Sequence, residues 1–257
     1  MNFKANKKLG QNFLINRDIA ISEAAHAEDK VVIEIGPGRG ILTEELCNVA
    51  AKVIAVEKDE RLFNYLSSKL QYKNLTLLNK DFFSCTDSEL MLDEVDILIS
   101  NIPYNLSSKV ISWLHHNNME AVLCLQKEFV EHMLAIPGSK NYSKLSVICS
   151  LSFKIIEIMK VSRKSFIPKP KIDSQIIYLK PLASSMTEAE DYIINLIMQH
   201  KKKLLKNALF DSSKNLNIAK EKLAFFLNKT SLSSERVFTL NPAQILQVAR
   251  ELSKLQK

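Results

Sequence analysis

Between residues 31 and 136, short apolar, β-branched runs alternate with amphipathic stretches, and this alternation limits the fold more than any other feature. The strand-like runs are 31–35, 53–56, 75–78, 95–99 and 121–125. Residues 43–49, 61–70, 107–115 and 128–136 read as helices between and after them, and 18–27 as a helix before the first. Such an order predicts a parallel sheet covered on both faces. Two more strand-like runs, 153–161 and 175–179, flank a proline-rich loop at 165–170, which suits an antiparallel pair at the sheet edge. Beyond Pro181 no strand pattern remains, and 187–210, 218–227 and 242–255 read as helices, the last opened by Asn241 and Pro242. The expected architecture is an α/β domain over 1–180, with a basic arm at 1–15, and a small all-helical domain over 181–257.

Composition narrows the function classes. The chain has 257 residues, 46% hydrophobic and 25% charged, as in an ordinary globular protein. No apolar run reaches the roughly 18 residues of a membrane span. The polar, basic start leads into no signal-like core, so a cytoplasmic location is expected. A net charge of +7 permits a nucleic-acid partner without requiring one. Cys47, Cys85, Cys124 and Cys149 lack paired spacing and read as small buried hydrophobes, not as a zinc site or disulfide framework. His115 and His116 read as surface residues at a helix end.

Two clusters carry chemistry. The first is Glu34-Ile35-Gly36-Pro37-Gly38-Arg39-Gly40, directly after the first strand, with three of the chain's five glycines. Glycines there let backbone approach a ligand. No Walker lysine follows them, and the third glycine stands one place short of a dinucleotide fingerprint. Glu57 ends the second strand, where an acid can accept both ribose hydroxyls, and Asp81 follows the third, within reach of an adenine amine. Together they describe an adenosine pocket better suited to a cationic ligand than to a triphosphate.

The second cluster is Asn101-Ile102-Pro103-Tyr104 at the end of the fourth strand. An amide, a rigid turn and an aromatic ring suit a flat heterocycle with an amino group: the ring stacks on Tyr104 and its amine donates to Asn101 and a backbone carbonyl. A strand-to-helix turn without function is the alternative.

These motifs, with Lys8-Leu9-Gly10-Gln11-Asn12-Phe13-Leu14, Gln126-Lys127-Glu128, the 137–142 segment, the 166–174 loop and the 201–207 lysine run, resemble the ribosomal RNA adenine dimethyltransferases, specifically their small-subunit branch. The resemblance spans almost the whole chain. It implies a Rossmann-like class I methyltransferase fold with a seven-stranded sheet containing one antiparallel strand. It implies S-adenosylmethionine as cofactor, held by Asn12, Leu14, Gly36, Gly38, Glu57, Asp81 and Asn101. The implied substrate is a pair of adjacent adenosines in a hairpin near the 3′ end of small-subunit rRNA, within an immature subunit. Each would receive two methyl groups, and the enzyme would be monomeric. Ser100 and Ser143 stand where this family often has smaller residues, and lysines stand where it often has arginines.

The implied catalytic set is Asn101, Ile102, Pro103, Tyr104 and Phe166, with Tyr104 and Phe166 gripping a flipped-out base. Lys201, Lys202, Lys203 and Lys206 are candidate phosphate contacts, as are Lys4, Lys7 and Lys8; a solvated helix face is the alternative for the cluster. Two rival functions stay open: a macrolide-resistance-type methylase of large-subunit RNA, and a non-catalytic assembly or transcription factor on the same fold.

Overall fold

The computed structural model describes residues 5–6, 9–183 and 186–256, which places Lys4, Lys7 and Lys8 outside the described residues. The strands, in chain order, are β1 (Phe13–Leu14), β2 (Val31–Ile35), β3 (Lys52–Val56), β4 (Leu75–Leu78), β5 (Ile97–Ser100), β6 (Glu120–Gln126), β7 (Phe153–Val161), β8 (Phe166–Ile167) and β9 (Ser174–Pro181). The α-helices are α1 (Arg17–Ala24), α2 (Ile41–Val49), α3 (Glu60–Lys69), α4 (Asp87–Leu90), α5 (Ser107–His116), α6 (Lys127–Met133), α7 (Lys144–Ser152), α8 (Glu188–Gln199), α9 (Leu205–Asp211), α10 (Ser213–Leu216), α11 (Lys220–Lys229) and α12 (Pro242–Leu255).

Two compact units emerge. The first holds Met1–Val130 and Lys154–Pro181, the second Glu131–Phe153 and Leu182–Lys257. The chain does leave the first unit at Pro181, but residues 131–153, read from sequence as part of the α/β domain, group with the helical unit.

In the first unit seven strands lie in the order β4-β3-β2-β5-β6-β9-β7. The β4-β3-β2-β5-β6 run is parallel, and β9 is antiparallel to β6 with Ala121 opposite Leu179 and Gln126 opposite Ser174. This is the mostly parallel sheet that the alternation predicts. The strand period of two explains its layers. Val32, Val53, Ala55, Ile97, Ile99, Val122 and Cys124 form one cluster with Ala20 and Ala24 of α1 and Leu42 and Leu46 of α2. The residues between them, Ile33, Ile54, Leu98 and Leu123, are also fully buried, so both faces are covered. Because β5 returns beside β2 after β3 and β4 were laid on its other side, strand order reverses between β2 and β5. That reversal opens a crevice at the carboxyl ends of the strands.

A two-stranded ribbon, unforeseen from sequence, joins the arm to the proline-rich loop: Phe13 pairs with Ile167 and Leu14 with Phe166.

The second unit is helical around its own core of Ile193, Ile194, Ile197, Leu205, Leu209, Ile245, Ala249 and Leu252. Tyr142 is fully buried in it and donates its hydroxyl to the Leu240 carbonyl at 2.9 Å. The single helix expected over 187–210 is two, α8 and α9, parted by a turn at 200–204. That turn is held from afar: Val237 N donates to Lys203 O and Leu205 N to Glu235 O. All four cysteines are free thiols; Cys47, Cys124 and Cys149 are buried and Cys85 is partly exposed. No helix among the described residues is long and apolar enough to cross a membrane.

Candidate active site

The crevice of the first unit gathers what the sequence scatters. It is lined by Gly10, Asn12 and Phe13 of the arm, Gly36 and Gly38 after β2, Glu57 after β3, Asp81 and Phe82 beyond β4, Asn101 to Leu106 after β5, and Phe166. Consecutive strands of a parallel sheet end side by side, so the residues just past each end converge however far apart they lie in sequence.

At the glycine turn, Gly36 N bonds to Val56 O at 2.9 Å, tying the turn to the neighbouring strand. Gly38 has φ +60°, and a Cβ there would meet the Phe13 ring at 3.0 Å. Gly40 serves packing: at φ +83° it opens α2, and a Cβ would meet Leu66 of α3 at 2.7 Å. The three glycines therefore divide, with two facing the crevice and one facing a helix.

Glu57 is buried, yet its carboxylate is well supplied with donors. Asp59 N donates to Oε1 at 2.8 Å and Gly38 N to Oε2 at 3.1 Å. Burial raises its pKa, and these backbone donors oppose the rise. Each oxygen keeps lone pairs for a diol. Asp59 in turn is gripped by Arg61, which holds its carboxyl down at about 2, and by Gln11 of the arm at 3.0 Å. Asp81 caps a short 3-10 turn through Phe83 N and pairs with Lys58 at 2.7 Å, which lowers its pKa. An anionic, hydrogen-bonding wall of this kind, with backbone close at Gly36 and Gly38, fits an adenosine whose far end is cationic.

At the other end, Ser100 ties β5 to the glycine turn by donating its hydroxyl to Ile35 O at 2.7 Å. Asn101 then projects next to the crevice. Its Nδ2 donates to Glu23 Oε2 of α1 at 2.9 Å, while its Oδ1 is buried without a partner among the described residues. Tyr104 is half-buried, its hydroxyl 2.7 Å from Ser174 Oγ, and burial pushes its pKa up to about 12. The phenol thus stays neutral and its ring is anchored at the hydroxyl end. Phe166 is 3% exposed and belongs to the core cluster while also lining the crevice, so it anchors the loop and presents an edge to the site.

Leu14 is different. Its side chain packs in the core and is absent from the main crevice, although it borders a smaller recess with Asn12 and Gly36. Lys201 to Lys203 sit in the α8–α9 turn, not on a helix face. Lys201 donates to Tyr142 O at 2.6 Å; Lys202, Lys203 and Lys206 are exposed, and of these Lys203 pairs with Asp211 at 2.6 Å. His115 and His116 lie in the last turn of α5, His116 exposed and His115 partly so.

Residues to which motif reading gives no role of their own include Glu23, Glu34, Lys58 and Ser174. Glu34 is buried beneath the turn and pushed up to about 8, chiefly by burial, with Glu23 and Glu57 adding to the rise. Glu23 carried a signal: it occupies the apolar face of α1 with Ile19, Ala20 and Ala24, where a charge is out of place.

Comparison with known proteins agrees with this architecture. A family model described as ribosomal RNA adenine dimethylase matches residues 2–254. A probable ribosomal RNA small subunit methyltransferase A of Thermococcus sibiricus is 35% identical, covering 96% of this chain and 92% of its own. The protein of that name from Pyrococcus furiosus is also 35% identical, covering 99% and 94%. Among solved structures, a dimethyladenosine transferase from Plasmodium falciparum matches with a TM-score of 0.79 at 28% identity, covering 94% of this chain and 98% of that one. The 23S rRNA methyltransferase ErmE matches with a TM-score of 0.62 at 25% identity, covering 94% and 100%. The sheet is that of the class I methyltransferases, and with a match from near the first residue to near the last, this chain belongs to the ribosomal RNA adenine dimethylase family.

Proposed function

We propose that this protein is an S-adenosylmethionine-dependent rRNA adenine N6,N6-dimethyltransferase acting on two adjacent adenosines in a hairpin near the 3′ end of small-subunit rRNA. The observation that carries the reading is one crevice lined both by Glu57, a carboxylate supplied with backbone donors, and by Asn101, whose buried Oδ1 has no donor among the described residues. The names of the full-length relatives favour the small subunit over the large, and the P. falciparum transferase is the nearer in shape of the two solved structures compared.

Glu57 would hold the ribose of the cofactor, Asp81 its adenine and Gly36 and Gly38 its chain, with Asn12 as one wall, Leu14 packed behind it, and Asn101 beside the reacting group. Bound there, the cofactor supplies an electrophilic methyl on a positively charged sulfur. The residues of this chain do the rest. An exocyclic adenine amine is a poor nucleophile because its lone pair is delocalised into the ring. Asn101 Oδ1 and the Ile102 carbonyl accept its two hydrogens, which favours a pyramidal nitrogen with an available lone pair. The same acceptors stabilise the positive charge that grows on nitrogen in the transition state. Pro103 holds the turn rigid, so the acceptors are positioned before the base arrives. Tyr104 and Phe166 bracket the flipped base, which must leave its stack to reach the crevice. The product ammonium is strongly acidic, so no general base is required before attack.

Lys202 and Lys206 are the phosphate contacts that the structure leaves most available, with Lys201 and Lys203 shaping the turn that presents them. The partner is an immature small subunit, approached by a monomer in the cytoplasm during ribosome biogenesis. The test is incubation with methyl-labelled S-adenosylmethionine and either immature small subunits or large-subunit RNA, followed by mapping of the modified bases. Dimethyladenosine at two neighbouring small-subunit positions supports the reading. Label confined to large-subunit RNA would transfer it to the rival specificity, and no label in either would leave a binding factor.

A further inference from the structure

The carboxyl of Glu23 is a costly thing to bury beneath an active site. It is 0% exposed, on the apolar face of α1, and an apolar residue there would complete the face. Among the described residues its Oε1 has no partner, and the carboxyl's one hydrogen bond is to Asn101, 78 residues away. A buried carboxyl with one donor is destabilising compared with a hydrocarbon side chain of similar size. Such a group persists where the site gains from it.

What the site gains is an orientation. A carboxamide has a donor and an acceptor on opposite sides of one carbon, and rotation by half a turn exchanges them. Methyl transfer to an amine needs the acceptor at the crevice. A flipped Asn101 would present Nδ2 there, facing the amine hydrogens donor to donor. Nothing in the Asn101 backbone decides between the two. Glu23 biases the choice: a carboxylate has only lone pairs to offer, so an ionised Glu23 2.9 Å away admits only Nδ2 on its side.

We propose that Glu23 is a positioning residue for the transfer reaction, holding the Asn101 carboxamide with Nδ2 on Glu23 and leaving Oδ1, which has no donor among the described residues, for the substrate amine. It touches neither substrate nor cofactor and acts through Asn101. The inference rests on the methyltransferase reading above. Burial also raises the Glu23 pKa to about 8, and the Asn101 bond opposes that rise. A protonated carboxyl can still accept from Nδ2 through its carbonyl oxygen, but its hydroxyl can also donate to a flipped Oδ1, so the orientation is held most firmly in the ionised form.

The experiment compares Glu23→Met, which removes the acceptor and keeps the volume, with Glu23→Gln, which keeps an acceptor. Three quantities are read in the full-length protein: kcat and KM with S-adenosylmethionine and small-subunit RNA, the thermal midpoint, and the Asn101 side-chain amide resonance without ligand in 15N-asparagine-labelled protein. Glu23→Met should lower kcat by about 30-fold or more with the cofactor KM little changed, as expected for an interaction felt mainly in the transition state. Its thermal midpoint should hold or rise, and the amide resonance should move. Glu23→Gln, whose amide can offer an oxygen to Nδ2 or an NH2 to a flipped Oδ1, should restore kcat only in part, to a value between Glu23→Met and wild type. An undiminished kcat in Glu23→Met, or a loss of kcat that tracks a fallen thermal midpoint, overturns the proposal. So does an Asn101 resonance that is the same in wild type and Glu23→Met. A wild-type protein inactive on small-subunit RNA would break the functional reading instead, and the resonance would still decide whether Glu23 orients Asn101.

Discussion

The two ends of the crevice are built on opposite principles. At the Glu57 end, a buried carboxylate takes two backbone N–H groups, and its neighbour Asp59 is clamped by Arg61 and Gln11. At the Asn101 end the amide is left wanting: among the described residues Oδ1 is buried and unpartnered, and the carboxyl on the Nδ2 side has one bond. A satisfied group binds a ligand with what capacity remains and changes little when the ligand arrives. An unsatisfied acceptor is held in advance for charge that appears only during reaction. Under the proposed function, the contrast predicts affinity at one end and rate at the other.

The largest effect should come from breaking the unsatisfied end. Asn101→Ala removes the acceptor, and single-turnover methyl transfer should fall by about 100- to 1000-fold, the usual cost of one such group. Cofactor affinity, followed by calorimetry, should weaken only slightly. At the satisfied end the balance reverses. Glu57→Ala should weaken cofactor binding by about 10- to 100-fold, the worth of one or two charge-assisted hydrogen bonds, with the rate at saturating cofactor largely retained.

Much of this contrast can be read from residues alone. β4 and β7 fall on the residues that their β-branched runs predict, and α12 begins and ends where its Asn-Pro cap and apolar spacing place it. Glu57, Asp81 and Asn101 are legible because a strand end names its own position in a parallel sheet. Other features are not, for identifiable reasons. α7 is buried on several sides and rich in serine and β-branched residues, so it shows no helical period. The break between α8 and α9 contains neither proline nor glycine and depends on bonds to residues 235–237. The pairing of Leu14 with Phe166 and the contact of Glu23 with Asn101 are long-range, and no local pattern encodes them. Glu23 is visible only as a misplaced charge.

A smaller effect distinguishes the lysines. Lys202→Glu with Lys206→Glu should reduce RNA affinity by about tenfold at moderate salt and flatten its salt dependence, as loss of phosphate contacts does. Unchanged binding in a filter assay would return both to a solvated surface. Lys201 and Lys203 are poorer probes, because each holds the turn locally and its loss would mix folding with binding.

The smallest effect concerns stability and pH. Glu23 and Glu34 have folded pKa values near 8 against an ordinary 4.5. Across that window the native state holds more protons than the unfolded chain, so stability is greatest at the acid end and declines as pH rises toward 8. Urea midpoints measured at several pH values should show this decline, and Glu23→Gln should flatten part of it. Asp59, held at about 2, has the opposite sign but acts only at lower pH, so it leaves this window untouched.

The division of the crevice is tested most directly by measuring cofactor dissociation constants and single-turnover transfer rates side by side for wild type, Asn101→Ala and Glu57→Ala. The expected result is a crossed pattern, with Asn101→Ala binding cofactor nearly normally and failing to transfer, and Glu57→Ala binding poorly but transferring at near-normal rate once saturated. Parallel losses of affinity and rate in both variants would contradict it, because the two ends would then act as one unit.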